Sequence, residues 1–458
     1  MSRKFRIANY EETLNQTIRL SDALPTNHLA RYVVDIIGQL DLSQMYQRYA
    51  PRGGEAISPE VLLGLLFYGY ASGVFSSRKI EKATYESIPF RYVAGGLHPD
   101  HDTIAHFRKT FLEEIKELFV QILLVDEAAG VLKLGNISLD GSKIHADASK
   151  SHAVSYGRLI ELEAQLQREV NELITLGEQA DQGESQLPEG LVLEDEIAIR
   201  EERLTNLAKA KAVLEERAKE RYEAEQAEYE AKLRERKEKA RKRHGKPKGR
   251  PLKPPEPGAQ DKDQYNFTDP ESRIMKNSTN EGVDQHYNVQ VAADQASLLF
   301  VANALSNHPH DKQEAVPTLD TLAPEIGQPD AVALDNGYFS EANVRACETR
   351  KIDPYIATGR EPHHKDWHTF FREQPQAPAE NASAKVKMAY KLQTEIGQEI
   401  YRLRKCTVEP VIGIIKEILG FRQFSLRGLA AAAGEWCLVC LAFNLKRMHI
   451  LFMEQGLV

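Results

Sequence analysis

Apolar residues recur at three- and four-residue spacing through the first 130 positions, the period of a helix with one buried face. Ser58-Pro59-Glu60 reads as an N-cap followed by Pro at the first helical position, ahead of Val61, Leu62, Leu63, Leu65, Leu66 and Phe67. Ser76 to Lys79 opens another helix, and Pro89 to Gly96 is a punctuated turn region. Asp102-Thr103 caps a helix whose stripe is Ile104, Phe107, Phe111, Ile115, Phe119 and Ile122. The period then changes to that of strands. Ile137 to Asp140 reads as a strand, Gly141-Ser142 as a turn and Lys143 to Ala148 as the returning strand, a hairpin with Asp140 at its bend. From Tyr156 to about Arg243 the pattern is helical again. Leu159, Leu162, Leu166, Val170 and Leu173 keep heptad-like spacing, Gly177, Gly183, Pro188 and Gly190 break the run, and a second helix covers Leu193 to Lys242. Two helices around a Gly/Pro loop predict an antiparallel hairpin, followed by a basic, Pro-rich linker from His244 to Gly258.

Strand signals resume at Tyr287–Asp294 and Leu298–Leu305, which read as a hairpin. A helix over 312–326, a strand at Ala331–Leu334, a helix capped by Ser340-Glu341 and a short strand at Ile352–Ala357 follow. Residues 359–383 read as loose, the pattern from Lys385 onward is helical, and Leu429–Met448 is apolar enough for a buried closing helix. The order predicts an α/β core preceded by an all-helical segment and interrupted by a helical-hairpin insertion. The boundaries fall at 1–130 for the helical segment, 131–155 with 262–458 for the core, and 156–261 for the insertion.

Composition refines this picture. A chain of 458 residues fits two to four domains at ~150 residues each. Its net charge of −8 argues against nucleic acid as a partner on average, but the average hides an asymmetry. Between Lys232 and Lys253 twelve Lys or Arg stand against Glu235 and Glu238, a net +10. Such a block reads as a nucleic-acid patch, with Arg241, Lys242, Arg243, Lys246, Lys248 and Arg250 as candidate contacts, or as a solvated linker. Arg78, Lys79, Arg91, His106, Arg108 and Lys109 are either DNA contacts of the helical segment or ordinary surface charges. Four cysteines are too few for a disulfide scaffold and fit a reducing compartment. Cys437 and Cys440 form a CxxC in an apolar helical run, which reads as core packing. The N-terminus lacks the apolar region of a signal peptide, and the apolar stretch near Leu62–Phe75 is too short to span a bilayer. A cytoplasmic protein without a membrane partner is the expectation.

Three carboxylates carry the candidate chemistry. Asp140 and Asp335 each end an apolar strand and precede a Gly-containing turn, where open α/β sheets place ligands. Glu409 follows Tyr401, Arg404 and Lys405 and precedes Lys416, all at spacings near one or two helical turns. Hard divalent cations take oxygen ligands, and two of them can clamp the attacking and leaving oxygens of a phosphodiester. Taken alone, either Asp also fits a turn or cap residue, and Glu409 a solvated helix face.

The blocks around these acids resemble those of a DDE transposase of a bacterial insertion sequence, in the subgroup with a helical insert after the first catalytic Asp. The carriers are Ile88–Tyr92 with His98–Ile104 and Phe107-Arg108, Leu139–Ile144 around the first Asp, and Thr268–Lys276 after the insert. Leu334–Phe339 around the second Asp, Tyr401–Lys416 as the Tyr-Arg-Glu-Lys signature, and Gly434–Trp436 with Asn444–Arg447 complete the set. One departure stands out: the signature has Arg four residues before Glu, whereas here Lys405 is four before and Arg404 five. The resemblance implies an RNase H-like catalytic core and two Mg²⁺ or Mn²⁺ ions held by Asp140, Asp335 and Glu409. Tyr401, Arg404 or Lys405, and Lys416 would then meet DNA. It further implies cleavage and strand transfer of double-stranded DNA at the element's terminal inverted repeats and at a target, by a homodimer or higher oligomer associated with the nucleoid. A non-catalytic repressor or scaffold derived from a transposase, and a nuclease of the same fold, are the competing readings.

Overall fold

The computed structural model describes residues 17, 19–50, 54–183, 188, 190–242, 245, 251–277, 282–359 and 376–456. The chain divides into two compact units, one formed by 1–147, 275–282 and 286–458, the other by 148–274 and 283–285.

The first unit is built on a six-stranded mixed sheet. Its strands are β1 (Asn136–His145), β2 (Arg273–Lys276), β3 (Val283–Asp294), β4 (Phe300–Ser306), β5 (Ala331–Leu334) and β6 (Asp353–Ile356). The order is β2-β3-β1-β5-β6, with β4 also paired to β3. β1 runs antiparallel to β3 and parallel to β5, which is parallel to β6. β3 and β4 form the antiparallel hairpin that their sequence predicts. Ten consecutive residues of β3, from Gln285 to Asp294, are buried, as expected for a strand covered on both faces.

The predicted hairpin at Asp140 does not form. β1 continues through Gly141 and Ser142 to His145, paired with β3 along its length. Gly141 lies opposite Gln290, and a Cβ there would sit 2.2 Å from Gln290 Nε2. The glycine answers a packing requirement, not a turn. Gly141→Ala is therefore expected to displace a buried glutamine and lower stability by about 1–3 kcal/mol. Denaturant unfolding checks this, and an unchanged midpoint would contradict it. The helix expected over 312–326 forms only in part, as a short helix at Ala315–Leu319. A 3-10 turn at Asp311–Gln313 precedes it, Pro317 sits in its first turn where a missing N–H is tolerated, and a separate turn starts at Pro324 (Pro324–Ile326).

The longer helices of the first unit ahead of the sheet are α1 (Leu29–Ile37), α2 (Pro59–Ala71), α3 (Ser77–Glu86), α4 (His101–Thr110) and α5 (Leu112–Ala128). The region read as a turn at 89–96 opens instead as a short helix, Ile88–Val93, with Pro89 in its first turn. α2 is buried almost all round, which makes it a central helix. The single helix read from the stripe at 104–122 is two, α4 and α5, joined at Phe111. The cap of α4 is Asp100, whose carboxylate accepts from Thr103 N at 2.8 Å, two residues ahead of the expected cap. Arg108 is not a surface cation. It is 6 % exposed and donates to Tyr70 Oη at 2.8 Å and to the Phe75 carbonyl at 3.2 Å, with Glu435 at 3.6 Å. Asp126 in α5 is buried, and neither of its carboxyl oxygens has a hydrogen-bond partner among the described residues. Burial pushes its carboxyl up to about 8. An unfolded Asp ionises near 3.8, so the folded chain holds an extra proton between these values and loses stability as pH rises through that window. Asp126→Asn is expected to gain on the wild type by up to about 1.4 kcal/mol per pH unit from pH 4 to 8, and nothing below. Unfolding midpoints at pH 4, 6 and 8 read the gap, and a flat gap would contradict it.

In the second unit, α6 (Tyr156–Asp181) and α7 (Leu193–Lys242) pack side by side. Leu159 and Leu166 of α6 share a core with Leu207, Ala210 and Leu214 of α7. Tyr156 bonds Glu215, Glu163 pairs with Lys211 and Glu169 pairs with Arg200, so position rises along one helix as it falls along the other. The helices are antiparallel, and the leucine stripe is satisfied within the chain. Strands Ala153–Ser155 and Gln264–Asn266 pair antiparallel at the base of this hairpin.

Four further helices of the first unit bear on the site: α8 (Glu341–Thr349), α9 (Ala384–Lys391), α10 (Glu395–Gly413) and α11 (Leu429–Glu454). α10 packs on β1 and β5, while α11 packs on β4, α2 and α5. α11 is the one helix among the described residues long and apolar enough to cross a membrane, but 72 % of its apolar window is buried in the protein. It is the expected closing helix, with Cys437 and Cys440 buried inside it as free thiols.

Candidate active site

Leu139 of β1 pairs with Leu334 of β5, so Asp140 and Asp335 occupy the next positions on adjacent parallel strands. β5 ends there while β1 continues, leaving Asp140 where β1 loses its parallel neighbour. Asp140 Oδ1 accepts from Gly141 N at 2.8 Å, and Asp335 Oδ1 accepts from Gly337 N at 2.7 Å as the cap of a short turn. Both carboxyls are thereby held at the strand ends.

The third acid comes from α10. Thr394 caps this helix by accepting from Gly397 N at 3.1 Å, and the helix lies across β1 and β5. Its Arg404 is 6 % exposed and reaches two acids at once. Nη1 donates to Asp140 Oδ2 at 2.9 Å and Nη2 to Glu409 Oε1 at 2.9 Å. The fork geometry of a guanidinium suits this bridging role. The Tyr401 ring lies beneath the same guanidinium, 5.7 Å from its centroid. Lys405 is exposed. Of the two basic neighbours of Glu409, the structure therefore brings Arg404 to the acids. After Gly413 the helix widens into a π-turn over Ile414–Ile418, a feature common at functional sites. Within it Lys416 Nζ donates to Ser142 Oγ at 2.6 Å, two residues beyond Asp140 on β1.

The electrostatics follow from this packing. Burial raises the Asp140 carboxyl to about 6, Arg404 opposes the rise, and the charges of Asp335 and Glu409 add to it. Asp335 is also raised, by burial first and by Asp311 among its neighbours. Burial lowers the Lys416 ammonium.

Several members of this neighbourhood escape sequence reasoning. Asp311 accepts from Asn288 Nδ2 at 2.8 Å and from Gln290 Nε2 at 3.0 Å, both through Oδ1. Tyr338, in the turn after Asp335, donates its hydroxyl to Gln290 Oε1. Buried Asn288 and Gln290 alternate with the apolar Tyr287, Val289 and Val291, a signal visible in the sequence; Asp311, in a Pro/His-rich turn, has none. Of the predicted basic contacts, Arg241 is exposed at the end of α7, where the helix also holds Lys242. Arg243, Lys246, Lys248 and Arg250 lie outside the described residues.

Among the described residues, no three His, Cys or acidic side chains converge tightly enough to chelate one ion. The Arg404 guanidinium stands between Asp140 and Glu409. The donor set itself suits a hard divalent cation: it is all oxygen, and its three carboxylates exceed the single buried guanidinium.

Two family models match the chain, a transposase domain (DUF772) over residues 18–110 and a transposase DDE domain over 257–445. The chain belongs to the DDE transposases. The second match contains Asp335, Glu409 and the Tyr401–Lys416 segment, whereas Asp140 falls between the two. No curated protein and no solved structure matches the chain. The transposase is accordingly a metal-dependent enzyme of DNA phosphoryl transfer, and DNA is its partner.

Proposed function

We propose that this transposase cuts and joins DNA at a site formed by Asp140, Asp335 and Glu409, which hold two Mg²⁺ or Mn²⁺ ions. The observation that carries the assignment is Arg404, which joins Asp140 to Glu409 while Asp335 stands at the neighbouring strand position. The strand arrangement, with β1 antiparallel to β3 on one side and parallel to β5 on the other, supports an RNase H-like reading of the core. When bound, the ions would activate the attacking oxygen and stabilise the leaving one.

The chain's own residues do the rest. The strand ends fix the two aspartates, and α10 brings Glu409 and Arg404 to them. On this reading Arg404 and Lys416, with Tyr401 beside them, hold phosphate oxygens of the bound strand, since both basic side chains already reach the acid-bearing strand. Lys405, exposed one position on, and the basic stretch from Arg241 to Arg250 would contact DNA farther from the scissile bond. The enzyme would work in the cytoplasm on nucleoid DNA, as a dimer or higher oligomer that brings two terminal repeats together. Strand cleavage by alanine variants of the three acids, measured alongside binding of end DNA, tests the assignment. Full cleavage by all three would falsify it.

A further inference from the structure

The turn Asp311–Gln313 brings a fourth carboxyl to the same end of the sheet. A Cβ on Gly141, directly after Asp140, would lie 3.0 Å from Asp311 Oδ1. A Cβ on Gly337 would lie 3.0 Å from Asp335 Oδ1 and 3.8 Å from Asp311 Oδ2. Asp311 thus adjoins the segments that follow both aspartates, with space kept open by a glycine on each.

The carboxyl is also locked. Asn288 and Gln290, at 1 % and 0 % exposure, both donate to Oδ1. Gln290 is held in turn by the Tyr338 hydroxyl, and its carbonyl accepts from Trp436 Nε1 at 3.2 Å. Asn343 of α8 donates to the Lys312 carbonyl at 2.8 Å and to the Tyr338 carbonyl at 2.7 Å, fastening the Asp311 turn to the Asp335 turn. So much buried polar structure around one oxygen leaves Oδ2 without a hydrogen-bond partner among the described residues.

The charge is unevenly compensated. Asp140 and Glu409 share Arg404, but neither Asp335 nor Asp311 has an ion-pair partner among the described residues. Two carboxylates held near each other call for a cation. We propose that Asp311 is a fourth carboxylate of the site, a positioning residue whose Oδ2 orients the water shell of a divalent cation held by Asp335. This rests on the reading of Asp140, Asp335 and Glu409 as metal ligands. Carboxylates one shell out from a metal orient what the direct ligands hold.

Mn²⁺ binding to the full-length, DNA-free protein, followed by calorimetry and by the loss of the free-ion paramagnetic resonance signal, tests the proposal. Asp311→Asn keeps the shape and an oxygen for both amides while removing the charge. It is expected to weaken Mn²⁺ binding about tenfold, in the range typical of such outer carboxylates, and to raise the Mn²⁺ needed for half-maximal cleavage to match. Cleavage at saturating Mn²⁺ should stay near wild type. Asp311→Glu, which restores the charge, should recover most of the affinity. Affinity within twofold of wild type in Asp311→Asn overturns the proposal, as does an equal loss in Asp311→Glu, which marks a packing role. Asp335→Ala separates the two readings. If it abolishes Mn²⁺ binding and Asp311→Asn does not weaken it, only the role of Asp311 fails. If the wild type binds no Mn²⁺, both fail.

Discussion

Replacing Asp140 or Asp335 with Ala is expected to abolish strand cleavage while leaving binding to the element's ends nearly intact. Both side chains stand at the ends of adjacent parallel strands, Asp140 one position after Leu139 and Asp335 one after Leu334. Asp140 loses the most, because it alone faces both Asp335 and Glu409 and takes half of the Arg404 bridge. Metal stabilisation of the transition state amounts to several kcal/mol, so on the proposed assignment the loss of either carboxylate should cost about 10³-fold in rate or more. Cleavage of labelled end DNA under Mg²⁺, with binding measured by mobility shift, gives both numbers. A variant that cuts at wild-type rate contradicts the account, and one that loses binding as well assigns the residue to DNA recognition instead.

The second large effect is on stability. Arg404→Ala leaves a mostly buried Asp140 and a half-exposed Glu409 without their shared cation. Breaking a buried pair costs about 3–5 kcal/mol, and solvent at Glu409 places this one at the lower end. The loss should depend on pH, with the following sign. Asp140 ionises near 3.8 unfolded and near 6 folded with Arg404 in place. Without Arg404 the folded value rises further, so the folded state holds its proton to higher pH and stability falls more steeply as pH increases. The deficit of Arg404→Ala is therefore expected to be about 3 kcal/mol at pH 8 and much smaller at pH 5, where Asp140 takes a proton. Arg404→Lys should recover only part of it, since one ammonium does not reproduce the two-pronged bridge. Denaturant unfolding at both pH values decides the matter, and an equal deficit at each would show that packing, not charge, is lost.

Much of the fold is legible in the sequence because it rests on local pattern. The heptad leucines announce the α6–α7 hairpin, and Leu159 and Leu166 do pack on α7. The apolar run around Cys437 and Cys440 announces a core helix, and both thiols are buried there. Failures come where tertiary packing overrides a local signal. Gly141-Ser142 carries turn chemistry, yet the pairing of β1 with β3 through this stretch and the bulk of Gln290 make the glycine a spacer. Arg108 looks like any helix-surface cation until Tyr70 and Glu435, far apart in sequence, close around it.

The site divides along the same line. Asp140 and Asp335 stand out as acids leaving apolar strands, and their adjacency follows from the Leu139–Leu334 register. The choice between Arg404 and Lys405 is not legible, because they stand five and four residues before Glu409, both between one and one and a half helical turns away. Which one turns toward β1 depends on how α10 lies across the sheet, a long-range fact. Asp311 was invisible for a related reason: its partners Asn288 and Gln290 are more than twenty positions away and on another strand.

Glu409 gives the most direct test, since taken alone it is the acid that a solvated helix face explains as well. Glu409→Ala is incubated with end DNA and Mg²⁺, and the released 3′ ends are counted beside a binding control. The account predicts retained binding with no cleavage above background; cleavage at the wild-type rate would contradict it.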